Sequence, residues 1–339
     1  MIKKLLALIL VIIVFAIASY FYAVKKTNDY LAQPLLITEP QLITLHSGAS
    51  VNRALILMTE QTWLVEDALA TKLLHRLYPE LTSIRAGTYQ LQPGFSLRDG
   101  LALFVSGREF QFSITFVEGS RFSEWRASLT QNPNLQQTMT EYSEVEIAQL
   151  LGIENTKLEG LFLAETYHFT KGEKDIEILR RAHRKLNHLL EQEWEHRQPD
   201  LPLKTPYEAL ILASIIEKET AIDAERERVS SVFINRLNQR MRLQTDPTVI
   251  YGMGDRYQGR IRRADLREAT EYNTYVINGL PPTPIAMAGP ASIKAALNPE
   301  QSDYLYFVAS GHGDHVFSKT LAEHNRAVRA YLQVIRSRQ

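Results

Sequence analysis

The chain has no cysteine. That excludes disulfides, thiol nucleophiles and thiolate metal sites, and it fits an oxidising compartment without requiring one. It has no excess of either charge: 38 basic and 38 acidic side chains give a formal net charge of zero. A nucleic-acid partner usually leaves a basic footprint, so no nucleic acid is expected. Internal repeats and low-complexity segments are absent too. What the sequence does have is length. Its 339 residues leave room for two or three domains and a sizeable core.

One long apolar run stands at the start, from Leu5 to Val24, interrupted only by Ser19, Tyr20 and Tyr22. At about 1.5 Å per helical residue it spans ~30 Å, the thickness of bilayer hydrocarbon. The tyrosines lie near one end, where amphipathic rings favour the headgroup level. Lys3 and Lys4 precede the run, and Lys25 and Lys26 follow it. The rival reading is a cleaved signal with Ala16-Ile17-Ala18 as its small-residue site. A signal core is usually ~7–15 residues, which favours an uncleaved anchor. The expected order is a short tail (1–4), a transmembrane helix (5–24) and a polar linker (25–36).

A small unit is expected over 37–108. Gln41 to His46 reads as a strand, and Ser50 caps a helix from Val51 to about Glu60. A second helix covers Val65 to Leu77, and a strand covers Gly87 to Leu91. A third helix closes at Gly107. Strand, helix, helix, strand, with G-x-Y-x-L-x-x-G, resembles a LysM-like glycan-binding module. A compact helix-strand spacer is the other reading.

From 109 to 339 a larger mixed α/β domain is expected, making the whole chain α+β. Phe110 to Val117 alternates as a strand. Asp175 to Gln198 is a charged amphipathic helix, and Thr245 to Gly252 reads as a turn leading into a short segment. Three prolines keep Gly279–Ile285 from being helix. The centre is Thr205 to Thr220. Thr205 is an N-cap, Pro206 suits the first helical position, and Glu208 completes a capping box. Ala209 to Ile216 is apolar all round apart from Ser214, as in a buried helix. Glu217 follows at its end. Desolvation at such a place disfavours a charged carboxyl, which suits a proton donor near neutral pH. The plain alternative is a first polar residue where the helix emerges.

Six motifs then carry a resemblance: LEG-x-F-x-x-ETYHF (158–169), ASIIEKET (213–220), TDPTVIYG (245–252), YNTY (272–275), GLPP-x-PI (279–285) and YLYFVASGHGDHVFSKTLAEHN (304–325). In this order they resemble the YceG-like family of endolytic murein transglycosylases, over nearly the whole chain. Thr283 stands where that family usually has glycine, and the family has a proline near Ala288.

The resemblance implies endolytic cleavage of peptidoglycan between N-acetylmuramic acid and N-acetylglucosamine without water, leaving 1,6-anhydro ends and terminating strand growth. Glu217 matches the catalytic glutamate. Glu165, Tyr167, Thr245, Tyr272 and Asn273 fall in family motifs as candidate groove residues. Glu219 and Asp246 are candidates with structural alternatives, pairing and turn formation. His312, His315 and His324 lack the helical H-E-x-x-H spacing, so His315 is a groove candidate and no metal or cofactor is expected. The resemblance implies a single-pass protein of the bacterial inner membrane, its catalytic domain periplasmic, working beside the peptidoglycan synthases (penicillin-binding proteins). A muramidase-type hydrolase and a non-catalytic LysM-like wall binder are the alternatives.

Overall fold

A computed structural model describes residues 2–338; Met1 and Gln339, the ends of the expected tail and catalytic domain, lie outside the described residues. The chain is α+β and divides into two compact units. The first is Met1–Phe112 with His168–Gly172, and the second is Ser113–Tyr167 with Glu173–Gln339.

The first unit begins with α1 (Ile2–Ala32). Among the described residues it is the one helix long and apolar enough to cross a membrane. Its apolar length is exposed, whereas Thr27, Tyr30 and Leu31 are buried in the unit's core. Residues 25–32, expected as a polar tether, therefore continue the helix. The reason is packing: Asn28 Oδ1 accepts from the Tyr78 hydroxyl at 2.6 Å and from Arg98 at 3.1 Å. Lys26 pairs with Asp67 at 2.5 Å. Strands β1 (Gln41–Leu45) and β2 (Gly87–Leu91) pair antiparallel, Ile43 opposite Tyr89. Between them lie α2 (Val51–Glu60) and α3 (Ala68–Leu77). The second starts later than expected because Asp67, not Val65, caps it through the Ala70 N–H. Then α4 (Leu97–Ser106) closes on Gly107.

The next strands, β3 (Phe112–Thr115) and β4 (Thr166–Phe169), pair with each other. Between them run α5 (Phe122–Thr130) and α6 (Glu144–Leu151). The second unit continues through α7 (Asp175–Glu195), α8 (Pro206–Glu219), α9 (Asp223–Asn238), α10 (Asp246–Met253) and α11 (Pro290–Leu297). Its last elements are the hairpin of β5 (Tyr306–Ala309) with β6 (His315–Ser318), and α12 (Leu321–Ser337).

The core of this unit is built on α8. Every side chain from Ala209 to Ile216 is buried, against α7, α9, α10 and α11. Each Leu or Ile in that run contributes about 1.5–3 kcal/mol as an upper estimate. The cap differs from expectation in one bond. Thr205 accepts the Glu208 N–H, but the Glu208 carboxylate takes the Lys204 N–H at 2.6 Å rather than that of Thr205. Residues 246–253 are helix, not the turn expected from Asp246-Pro247. Proline fits a first helical turn, where its missing N–H has no partner to lose.

Candidate active site

The apolar run of α8 stops at its last turn, which holds two carboxyls. Residues two apart point about 200° apart around a helix, so Glu217 and Glu219 enter separate surroundings.

The side chain of Glu217 is 7% exposed. Its Oε2 accepts the Gly289 N–H at 3.0 Å, at the N-terminus of α11. Its Oε1 is 3.9 Å from the buried guanidinium of Arg226, which also pairs with Asp223. An N–H at a helix start and a guanidinium both favour negative charge at this position. Glu118 lies close by: burial, then the charge of Glu217, push its carboxyl up, against the opposing pull of Arg226. Lys218 donates to the Gly119 carbonyl at 3.0 Å. Beside these groups opens a cavity of about 410 Å³, whose lining includes Glu118, Ser120, Glu124, Ser128 and Lys218.

The loop that holds Gly289 is fixed from both sides. Met287 exchanges backbone hydrogen bonds with the 119–120 segment at 2.8 and 2.9 Å. The Ile285 N–H donates to Ser214 Oγ, inside α8, at 3.0 Å. Gly160 packs on Pro284 so closely that a Cβ there would fall 2.2 Å from the proline Cβ. Thus the LEG and GLPP-x-PI motifs meet at Gly160 and Pro284, and the latter is tied to ASIIEKET through Ser214. Glu159, in the first of them, is buried, accepts the Phe122 N–H at 3.0 Å, and is pushed up to about 7 by that burial.

Glu219 faces the other way. It accepts from the Thr245 hydroxyl, and Thr245 N–H in turn donates to Thr274 at 3.0 Å. A cavity of about 440 Å³ takes Glu219, Thr245, Asp246 and Tyr275 in its wall. Asp246 accepts the Tyr275 hydroxyl at 2.7 Å. Dense packing pushes the Glu219 carboxyl up to about 7. The native state therefore holds a proton that the unfolded chain, with an ordinary value of 4.5, has released. Stability from this group is full below 4.5 and falls as pH rises through about 7. Glu219→Gln should remove about 1–3 kcal/mol of that fall. Urea midpoints on either side of the window test it: the variant's decline should be shallower, and an equal decline refutes the assignment. Glu159 adds a similar dependence, so some decline persists.

The remaining candidates are dispersed. Tyr167 is core, its hydroxyl donating to the Leu163 carbonyl at 2.7 Å. Glu165 is exposed and pairs with Lys185 at 2.6 Å. Asn273 is buried and donates to the Asp265 and Glu268 carbonyls, shaping its loop. The Tyr272 hydroxyl meets Thr283 at 2.9 Å, a partner that a glycine at 283 lacks. His315 binds Glu225 through its ring at 2.7 Å, His312 is exposed, and His324 stacks on Tyr306. Among the described residues no cluster of ligating side chains is arranged for a metal ion. Sequence reasoning passed over Glu118, Arg226 and Gly289. Arg226 was hidden in an ordinary charged helix, and Glu118 lay just past an alternating strand pattern.

The YceG-like family model matches residues 43–330. The chain belongs to the YceG-like family. It is 33% identical over 279 residues to the endolytic murein transglycosylase of Bacillus subtilis, covering 75% of each chain. A shorter match, 34% over 129 residues, is to the endolytic murein transglycosylase of Streptococcus pneumoniae; it spans 37% of this chain and 23% of that protein. A YceG-like protein of Listeria monocytogenes of known crystal structure is 29% identical. It aligns with a TM-score of 0.53 over 85% of this chain and 99% of the other.

Proposed function

We propose that this YceG-like chain is an endolytic lytic transglycosylase of peptidoglycan, anchored by the apolar part of α1, with Glu217 as its acid and base. One observation carries the reading. Glu217, in the last turn of a buried helix, is nearly dry, with a backbone N–H and a guanidinium beside its carboxyl. Likeness to the Bacillus enzyme supplies the substrate.

The chemistry then follows from one carboxyl. Glu217 gives its proton to the oxygen linking C1 of N-acetylmuramic acid to N-acetylglucosamine. As that C1–O bond breaks, the muramic O6 bonds to C1, and the O6 proton passes to Glu217. The acid is regenerated, no water is consumed, and the product ends in a 1,6-anhydro ring. The internal hydroxyl, helped by the acetamido group, substitutes for the nucleophilic carboxylate of a retaining hydrolase.

The first unit, with its β1–α2–α3–β2 order, is read as a LysM-like glycan-binding module over about 37–108, and residues 109–339 as the catalytic domain. On that reading the enzyme faces the periplasm from the inner membrane. It acts on nascent strands beside the peptidoglycan synthases and limits strand length. The mass of products from purified glycan strands tests the reaction. Fragments should sum to the substrate mass. Fragments heavier by one water per cut would replace this reading with a muramidase, and intact strands would leave a wall-binding protein.

A further inference from the structure

Along α1 every residue from Ile2 to Tyr22 is exposed, Ala23 and Val24 are half-buried, and Thr27 is fully buried. The first unit therefore starts to cover the helix where its apolar run ends. A second stretch of the unit comes back to the same level. The Leu36 N–H donates to the Trp63 carbonyl at 2.8 Å, the Gln33 side chain donates to the Val65 carbonyl at 3.1 Å, and Lys26 pairs with Asp67 at 2.5 Å. Residues 63–67 thus run back beside the outgoing chain and reverse at Asp67, the cap of α3. Lys26 lies two residues past Val24, about 3 Å along the helix axis. With the apolar run in hydrocarbon, the headgroup layer on that side is about 5–7 Å deep. The Asp67 turn then falls inside it. On either side of Asp67 stand Val65, 64% exposed, and Leu69, 50% exposed.

An isolated exposed valine or leucine is ordinary on a protein surface. What singles out this pair is depth: both stand where apolar side chains gain by entering the boundary between headgroups and acyl chains. We propose that the 65–69 turn is an interfacial foot that docks the first unit on the phospholipid bilayer crossed by α1, with Val65 and Leu69 as its apolar contacts. The inference rests on α1 spanning that bilayer. The charges at the turn agree with a lipid partner. Asp67 is balanced by Lys26. Glu66 lines a cavity of about 270 Å³ together with Lys72. Lys25 is exposed, and its long stem lets the ammonium reach lipid phosphates. A single spanning helix leaves the unit free to tilt and turn with it. A second contact beside the helix fixes which side of the unit rests on lipid.

Because the chain has no cysteine, one introduced thiol can be labelled alone. The test places the full chain in bilayer nanodiscs of phosphatidylcholine and phosphatidylglycerol. A nitrobenzoxadiazole label is carried at Val65→Cys, Ala68→Cys or Leu69→Cys, and at Val11→Cys as a marker of the hydrocarbon. Labels at 65, 68 and 69 should lose most of their emission to a nitroxide on the lipid headgroup and little to iodide in the water. The Val11 label should be quenched by a nitroxide on the acyl chains. Adding Val65→Asp and Leu69→Asp should open the label at 68 to iodide and free it from the headgroup nitroxide. Both changes fall on exposed positions, so the core of the unit stays intact. Lipid quenching at 68 that survives the double substitution would show mere proximity and overturn the foot. Iodide quenching at 65, 68 and 69, with the Val11 label still quenched from the acyl chains, would overturn the foot and leave the anchor standing. A Val11 label open to iodide would remove the anchor, and the foot with it.

Discussion

Glu217→Gln is expected to lower glycan-strand turnover by about 10²–10⁴-fold, the usual contribution of a positioned general acid. The amide has the same shape, and its oxygen can still accept the Gly289 N–H, so the fold and glycan binding should persist. What disappears is the proton. A glutamine cannot give one to the leaving oxygen or take one from O6, so both halves of the cycle stop together. Release of soluble fragments measures the first claim, and co-sedimentation with insoluble peptidoglycan measures the second. Turnover at the native level would remove Glu217 from the mechanism. Loss of both turnover and binding would show that the substitution had collapsed the cleft.

Gly160→Ala should have the largest effect on stability. Gly160 sits at φ +77°, a left-handed conformation that costs an L-residue roughly 1–2 kcal/mol. The added methyl would also meet the Pro284 ring at 2.2 Å and the Ala286 carbonyl at 3.2 Å. A proline ring in a loop pinned to Ser214 has little freedom to yield. Overpacking of this kind costs about 1–3 kcal/mol, which brings the sum to about 2–5 kcal/mol. Urea unfolding should show an earlier midpoint with an unchanged slope. Because the same loop delivers Gly289 to Glu217, surviving native protein should also turn over more slowly. An unshifted midpoint would mean that the 284–286 segment moves aside freely.

The helix that carries the candidate site was legible in the sequence because local signals agreed there. Thr205, Pro206 and the apolar run name one buried helix, and a buried helix leaves its first carboxyl at the boundary. The turns were less legible. Asp246-Pro247 is as good a helix start as a turn, and only Thr245, held by Glu219 and Thr274, decides between them. Residues 25–32 are polar by composition, yet three of them are buried against α3 and α4, which are distant in sequence. Gly289 was invisible for a different reason. Its torsions are unremarkable, and what matters is the space a Cβ would need, which the Glu118 carboxyl already fills. A single sequence does not write down a vacancy between residues so far apart.

The unbroken course of α1 leaves no flexible joint between its apolar stretch and the first unit. With the apolar stretch in a lipid bilayer, the helix emerges with no slack and enters the core of the first unit within about two turns, at Thr27, Tyr30 and Leu31. That unit stands on a stiff post rather than swinging on a leash.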